Sequence, residues 1–205
     1  MNAIVSLGLG YLMGCISPAA WISKKKNVDL TQEGTKNLGA TNTALVLGKK
    51  AGIFVMLFDI AKSFFSYKLA RSMFPQLAIA GILACIGVIL GHCFPFTMGF
   101  HGGKGLAAFG GLVLAYKPSF FLMIVIPGVI LMALLNTGVV VPMLGSVMFP
   151  VLVYLESRRL DELLAVTVAC AILVAMHWGN LQRAWERKDV VNTRDFFRKV
   201  FGKRG

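Results

Sequence analysis

Three short polar motifs in this chain combine the residue types that bind phosphate. His101–Gly105 reads HGGKG, Gly34–Asn42 reads GTKNLGATN and His177–Asn180 reads HWGN. Glycines let backbone N–H groups approach an anion closely, and consecutive N–H groups can form an anion-binding nest. Lysine adds a full charge, and Asn and Thr add neutral hydrogen bonds. The motifs therefore predict a phosphate site; the alternative is that the glycines and lysines only form loops at a membrane surface.

Common catalytic signatures of soluble enzymes do not account for these motifs. HGGKG is not a P-loop, because Met98 occupies the position of the first glycine and Gly105 follows the lysine. No histidine is followed five residues later by Asp, so a His-x4-Asp acyltransferase dyad is absent. His92 is expected to satisfy a buried hydrogen bond and His101 to be solvated. His177 is a candidate general base or orienting donor, with a purely structural hydrogen bond as the alternative.

The rest of the chain must hold these motifs within a membrane. Of its 205 residues 57% are hydrophobic and only 15% are charged. Apolar runs of about 17–25 residues, the length of a membrane-crossing helix, recur along it. The sequence predicts an all-α integral membrane protein with about seven transmembrane helices, and a single domain over residues 1–205. The net charge of +12 is explained by the positive-inside rule, so a nucleic-acid partner is not expected.

The helix count rests on where the apolar segments begin and end. They run approximately over residues 4–22, 51–74, 76–96, 106–116, 119–135, 139–155 and 163–178. Residues 106–116 and 119–135 can be counted as two crossings or as one bent element. Seven crossings put the N-terminus outside and the C-terminus in the cytoplasm. This agrees with the six lysines of residues 23–50 and with the eight Lys and Arg residues after Asn180, whereas six crossings do not.

All three phosphate-binding motifs then face the cytoplasm. The cytoplasmic polar loops are predicted at about residues 23–50, 97–105 and 136–138, and a basic tail covers about residues 181–205. The tail sequence DFFRKVFGKR places its apolar side chains on one helix face, which is typical of a helix lying on an anionic membrane surface. These side chains are Phe196, Phe197, Val200 and Phe201.

Charged and thiol side chains inside the apolar segments have structural interpretations. Asp59 and Lys62 lie three residues apart and share a helix face, where mutual pairing is favoured over a direct functional role. The four cysteines show no CxxC spacing and are expected to be small core residues. They are Cys15, Cys85, Cys93 and Cys170. No metal site is predicted.

Four ordered motifs make the chain resemble the bacterial PlsY family of membrane acyltransferases. They are GTKNLGATN, GHCFP at Gly91–Pro95, GFHGGKG at Gly99–Gly105 and HWGNLQR from His177, and the chain also has DIAK at Asp59–Lys62. The resemblance implies a seven-helix fold in the cell (inner) membrane with a cytoplasm-facing active site. It implies that the 1-hydroxyl of glycerol 3-phosphate attacks a fatty acyl phosphate, giving lysophosphatidic acid and phosphate in the first step of phospholipid synthesis. Neither an acyl thioester, a cofactor, a metal nor an obligate protein partner is implied.

The resemblance and the residue types together give a set of candidate site residues. Lys104 and the backbone of Gly102–Gly105 are expected to hold phosphate, and the acyl chain to lie between helices, open to lipid. Lys104, His177, Asn180 and Thr35 are the predicted catalytic residues, and they should converge on one cytoplasm-facing cleft. The predicted substrate-binding residues are Lys36, Asn37, Gly39, Thr41, Asn42, Gly102, Gly103 and Gly105.

The chain departs from the family pattern at several positions. Thr35 replaces a serine, Leu45 replaces an arginine that would bind phosphate, and Ala108 replaces a threonine. Val141 stands near the place of another serine. Lys36 is a candidate substitute for the missing cation. The departures leave two alternatives open: a divergent paralogue with another acceptor, or a non-catalytic protein that binds or transports lipids or organophosphates.

Overall fold

The chain folds into a helical bundle, described here from a computed structural model that covers residues 1–186, 188 and 192–202. These residues form ten α-helices and one short 3-10 turn, and no β-strand occurs among them. The helices are α1 (Asn2–Gly14), α2 (Pro18–Lys26), α3 (Ala40–Leu47), α4 (Lys49–Met73), α5 (Ala80–Cys93), α6 (Leu106–Tyr116), α7 (Pro118–Leu135), α8 (Val140–Ser157), α9 (Leu160–Trp185) and α10 (Thr193–Phe201). The predicted all-α class is confirmed.

Five helical stretches are long and apolar enough to cross a bilayer. They are Asn2–Lys26, Ala80–Met98, Pro118–Leu135, Val140–Ser157 and Leu160–Trp185. Helix α4 has 25 residues but contains charges, and α6 has only 11 residues. Lys117 has extended backbone between α6 and α7, and Pro118 is the first residue of α7. Because proline cannot continue the hydrogen-bond ladder of a preceding helix, the two segments form separate helices rather than one bent element.

The first predicted span, residues 4–22, is interrupted in its middle. Helix α1 ends at Gly14, and Ser17 caps α2 by accepting a hydrogen bond from the backbone N–H of Ala20 at 3.3 Å. Pro18 opens α2, where its missing N–H costs nothing. The polar segment that follows, residues 23–50, is not a loop throughout, because helix α3 forms within it.

Glycines bring α1 and α5 into backbone contact. A methyl group added at Gly10 would lie 1.9 Å from the carbonyl oxygen of Ala84, and one at Gly87 would lie 2.1 Å from that of Leu7. Gly14 and Gly91 have similarly close neighbours across the same interface. Small residues permit such close packing between membrane helices. The end of α1 is thereby held against α5, the helix that precedes the HGGKG loop.

The polar connections lie at two opposite ends of the bundle. At one end the first loop contacts the HGGKG loop, because the backbone N–H of Leu38 donates to the carbonyl oxygen of Gly102. The tail contacts the α7–α8 connection at this end as well, because the backbone N–H of Arg194 donates to Oδ1 of Asn136 at 2.9 Å. Lys104 joins the HGGKG loop to the end of α9. The loops predicted to be cytoplasmic therefore share contacts with one another or with the tail.

The other end is closed by a different set of polar contacts. Lys117 forms an ion pair with Glu156 at 2.6 Å, which links the α6–α7 junction to the end of α8. The hydroxyl of Tyr116 donates to Glu162 at 2.7 Å, which links α6 to the start of α9. Helices α6, α7, α8 and α9 therefore each run from one end of the bundle to the other.

The tail forms the amphipathic helix α10. Asn192 caps it by accepting a hydrogen bond from the N–H of Asp195. Phe197 and Phe201 remain about half exposed, at 47% and 48%, as the interpretation of an interfacial helix requires. Residues 187, 189–191 and 203–205 of the predicted basic tail lie outside the described residues.

Candidate active site

The candidate site is centred on a contact between two of the sequence motifs. Lys104, from the HGGKG loop, donates from Nζ to Oδ1 of Asn180, from the HWGN motif, at 2.6 Å. Lys104 and Asn180 are both partly buried. Gly105, with a positive φ of 81°, caps α6 immediately after Lys104. The N–H groups of the first turn of α6 therefore open beside the ammonium group, where a helix terminus favours an anion.

His177 lies one helical turn before Asn180 on the buried side of α9. Its Nδ1 donates to the carbonyl oxygen of Leu173 at 2.9 Å, because that oxygen can only accept. In the neutral ring this hydrogen bond leaves Nε2 as the acceptor. The three-residue spacing places Nε2 on the same helix face as Asn180. His177 can therefore serve as a base or as a hydrogen-bond partner near Lys104.

Asn42 is part of the scaffold of the first loop. The side chain is fully buried, and its Nδ2 donates to the carbonyl oxygens of Leu30 at 2.8 Å and Asn37 at 2.9 Å. Its Oδ1 accepts from the backbone N–H of Thr35 at 2.6 Å. Its amide therefore holds the loop in this structure, and contact of Asn42 with substrate stays a prediction.

We expect Asn42→Ala to destabilise the first loop. The change leaves the N–H of Thr35 and two carbonyl oxygens without their partner, and each such loss costs about 1–3 kcal/mol. The thermal unfolding midpoint in detergent should fall, and hydrogen exchange should rise in residues 30–42. Thr41→Ala, at an exposed neighbouring position, should change neither quantity, and equal effects of the two changes would contradict the assignment.

The remaining candidates of the first loop surround Asn42. Nδ2 of Asn37 donates to Oγ1 of Thr35 at 2.9 Å. Gly39 caps α3, and its carbonyl oxygen accepts from the N–H and hydroxyl groups of Thr43. Thr41 is exposed in the first turn of α3, and Lys36 is exposed with a φ of 54°.

The glycines before Lys104 fix the conformation of the HGGKG loop. The N–H of Gly102 donates to the carbonyl oxygen of Cys93, and that of Gly103 donates to the carbonyl oxygen of His92. These two N–H groups therefore have partners within the chain, and the binding of phosphate by Gly102 and Gly103 stays a prediction. A methyl group at Gly103 would lie 2.1 Å from Nε2 of His92. Glycine is required there because the imidazole packs against the backbone.

His92 belongs to a buried polar cluster, which we call the Asp59–Lys62–His92 cluster. Nζ of Lys62 lies 2.8 Å from Oδ1 of Asp59 and 3.2 Å from Nδ1 of His92. It also donates to the carbonyl oxygens of Gly14 and Ile16, both at 3.0 Å. The predicted pairing of Asp59 with Lys62 and the buried hydrogen bond of His92 are confirmed. The cluster ties the end of α1 to α4 and α5, and through His92 to the loop that carries Lys104.

A cleft of about 980 Å³ lies beside this centre. Lys36, Asn37, His101 and Gly102 line it, whereas Lys104, Asn180 and His177 do not. Met176, the residue before His177, also lines the cleft. Some predicted residues therefore lie at the cleft and others around Lys104, and the HGGKG loop connects the two places, because Gly102 lines the cleft two residues before Lys104.

The departures from the family pattern lie on helices near these groups. Leu45 is a partly buried residue of α3, and no cation replaces it on that helix. Ala108 is fully buried in the first turn of α6. Val141 lies in the first turn of α8, and Ser146, one turn further along the same helix, donates from its hydroxyl to the carbonyl oxygen of Pro142 at 2.8 Å.

Arg183 is the residue at this centre that the sequence predictions did not include. Its Nη2 donates to the same Oδ1 of Asn180 that accepts from Lys104, also at 2.6 Å. A sequence signal was available, because residues three apart share a helix face. The sequence predictions include Arg183 only as one of the basic residues of the tail.

We expect the charge of Lys104 to give the reaction an alkaline limit. Partial burial and the neighbouring charge of Arg183 lower the pKa of Lys104 from its ordinary value of about 10.4. As pH rises through this lowered pKa, the ammonium group loses its proton and its attraction for phosphate. A pH profile of kcat/KM, which reports the free enzyme, should therefore fall at alkaline pH. In Lys104→Arg this fall should move to higher pH, and an unchanged fall would assign it to another group.

Comparison with known proteins identifies a family with sequences similar to this chain. The model of a family described as "Glycerol-3-phosphate acyltransferase" matches residues 4–187. A protein named glycerol-3-phosphate acyltransferase from Streptococcus sanguinis is 32% identical over 207 residues, which covers 92% of this chain and 91% of the relative. One of the same name from Coxiella burnetii is 33% identical and covers 89% of this chain and 94% of the relative.

Two solved structures share the fold. A crystal structure of PlsY (YgiH), an integral membrane glycerol 3-phosphate acyltransferase in its glycerol 3-phosphate form, superposes with a TM-score of 0.84 at 27% identity. The lysophosphatidic acid form of PlsY superposes with a TM-score of 0.82 at 26% identity. Each comparison covers 92% of this chain and 94% of the solved chain.

Proposed function

Because this chain belongs to the glycerol-3-phosphate acyltransferase family, it is a membrane acyltransferase, and we propose the residues that carry out its reaction. The enzyme moves a fatty acyl group from acyl phosphate to the 1-hydroxyl of glycerol 3-phosphate. The products are lysophosphatidic acid and inorganic phosphate. The two PlsY structures, in glycerol 3-phosphate and lysophosphatidic acid forms, support the acceptor and the product.

The contact between Lys104 and Asn180 is the observation that carries the assignment of the site. It joins two motifs that are 76 residues apart in sequence. Lysine and amide groups that converge at a helix N-terminus suit a phosphate group. The difficulty of the reaction is to bring two phosphate-bearing anions together, and fixed cations and dipoles overcome their repulsion.

The residues around this contact then have distinct roles. Lys104 and the first turn of α6 bind a phosphate group, and Nδ2 of Asn180 donates to it. Nε2 of His177 accepts the proton of the attacking 1-hydroxyl as the oxygen bonds to the acyl carbon. Phosphate leaves with the electron pair of the broken C–O bond, and because it is a good leaving group no strong general acid is needed. His177 then releases its proton to the departing phosphate. Asn37 lines the neighbouring cleft and holds the hydroxyl of Thr35 by a hydrogen bond.

The site faces the cytoplasm in this proposal, and the protein lies in the cell (inner) membrane. The loops at one end of the bundle carry the excess of lysine and arginine that marks a cytoplasmic face. With the N-terminus outside, seven crossings formed by α1 with α2, α4, α5, α6, α7, α8 and α9 put Lys104 and the tail on this same side. The apolar grooves between helices are open to lipid, so a fatty acyl chain can enter from the bilayer.

The activity is tested with purified protein in detergent or in a lipid mesophase. Glycerol 3-phosphate and palmitoyl phosphate are added, and released phosphate and lysophosphatidic acid are measured together, with palmitoyl-CoA as the alternative donor. We expect equal amounts of both products from acyl phosphate and no product from the thioester. Phosphate release without lysophosphatidic acid would mean that another acceptor, such as water, is used. Absence of both products would contradict the proposal.

A further inference from the structure

We infer that Arg183 is the second phosphate-binding cation of this enzyme, and that with Lys104 it binds a phosphate monoester across Oδ1 of Asn180. The inference rests on the proposed function, since it names a further substrate-binding residue for the same reaction. It also explains how the chain can bind phosphate although Leu45 stands where an arginine is expected.

The geometry of Asn180 carries the inference. Nζ of Lys104 and Nη2 of Arg183 each lie 2.6 Å from the same amide oxygen. The two cations are therefore close enough for one phosphate group to contact both. With both donors on Oδ1, Nδ2 of Asn180 is left to donate to an anion.

No carboxylate neutralises this pair within the part of the chain that the structure describes. The ion pairs formed by residues 1–186, 188 and 192–202 involve other cations. Two like charges repel each other, and this repulsion contributes to the lowered pKa of Lys104. A dianionic phosphate placed between them converts the repulsion into two attractions and accepts charge-assisted hydrogen bonds from both.

Arg183 is also placed to reach an incoming substrate. Its side chain is exposed, and its guanidinium group folds back along α9, where a methyl group on Gly179 would lie 3.6 Å from Nη1. Asn180 and Lys104 are partly buried. The cation pair therefore extends from the interior outward, and a phosphate entering from solvent meets the guanidinium group first. Arginine suits this position because its planar group can bind two phosphate oxygens at once.

Arg183→Gln tests the inference through substrate binding. Because hydrogen bonds to charged groups are the stronger ones, the loss should raise a KM by about ten- to a hundredfold, with a smaller change in kcat. Arg183→Lys should recover part of the affinity. Lys188→Gln is the matched control, because Lys188 follows the same helix and pairs with Glu186 at 3.1 Å. It should leave both constants unchanged.

Two kinetic arms identify which phosphate is bound. Glycerol 3-phosphate is varied at saturating acyl phosphate, and then acyl phosphate at saturating glycerol 3-phosphate. A rise in either KM supports the inference and assigns the cation pair to that substrate. Unchanged KM values in both arms, or a fall in kcat alone, would overturn it.

A binding measurement separates this inference from the proposed reaction. Glycerol 3-phosphate and inorganic phosphate are titrated into wild-type protein and Arg183→Gln in detergent, and the shift of the thermal unfolding midpoint is recorded. The wild type should be stabilised more than the variant by one of these anions, whether or not turnover is observed. Equal shifts would overturn the role of Arg183, whereas a wild type that binds phosphate without turnover would contradict only the reaction.

Discussion

Lys104→Ala is expected to lower kcat/KM for glycerol 3-phosphate by a factor of about 100 to 1,000. Removal of one preorganised donor to developing charge typically costs about that factor in an enzyme. Lys104 is partly buried and touches Asn180, so solvent screens its charge less than that of the exposed Arg183, which cannot fully replace it. The measurement is the rate of lysophosphatidic acid formation at subsaturating glycerol 3-phosphate, with palmitoyl phosphate in excess.

The matched control for this prediction is Lys50→Ala. Lys50 is an exposed lysine at the start of α4 and carries the same charge at the same end of the bundle. Its loss should change the rate less than twofold at moderate ionic strength, because solvent and salt screen an exposed charge. Wild-type activity in Lys104→Ala would remove Lys104 from the site. Equal losses in both variants would show that only the overall positive charge matters.

Lys62→Met is expected to destabilise the protein by about 3–5 kcal/mol, the typical cost of leaving a buried charge without its partner. The change removes the ammonium group that pairs with the buried Asp59, and the carbonyl oxygens of Gly14 and Ile16 lose their donor. The free energy of unfolding, measured by titration with a denaturing detergent, should fall by this amount. Loss of activity should follow loss of folded protein, because the cluster supports the Lys104 loop only through His92.

The double change Asp59→Asn with Lys62→Met provides the control for this prediction. It removes both charges, so its cost should be smaller than the sum of the two single changes. Lys117→Met breaks the exposed pair with Glu156, whose side chains are 39% and 46% exposed, and should cost less than about 1 kcal/mol. A Lys62→Met protein as stable as Lys117→Met would show that the buried pair does not hold the helices together.

The sequence predicted the helical class and most helix positions because apolar length is a local property. The predicted range 139–155 overlaps α8 with ends that differ by one or two residues, and the predicted range 163–178 lies within α9, which begins three residues earlier and ends seven residues later. The break between α1 and α2 was missed although Pro18 was visible. A proline inside an apolar run can be accommodated, as Pro127 is within α7. The tertiary contacts of Gly14 and Ile16 with Lys62 therefore also help to set where the helix ends.

Residue type alone selects most residues of the candidate site, but it does not show which role each of them has. Lys104 and Asn180 were both selected from residue type, and they meet in space. Asn42 was selected for the same reason, yet its amide holds the loop. Residue type gives the ability to form hydrogen bonds, whereas burial and partner choice decide whether a ligand or the chain itself receives them. Arg183 is the opposite example. From the sequence it is one of several basic residues of the tail, whereas in the structure its guanidinium group contacts Asn180.

The contacts of Lys62 also bear on how the chain enters the membrane during synthesis. Three of its partners, the carbonyl oxygens of Gly14 and Ile16 and the carboxylate of Asp59, are earlier in the chain. His92 alone is made later. A helix that carries a lysine into lipid needs partners when it arrives, because an unpaired charge there is costly. Synthesis from the N-terminus supplies them in time, so α4 can be inserted beside α1 before α5 leaves the ribosome.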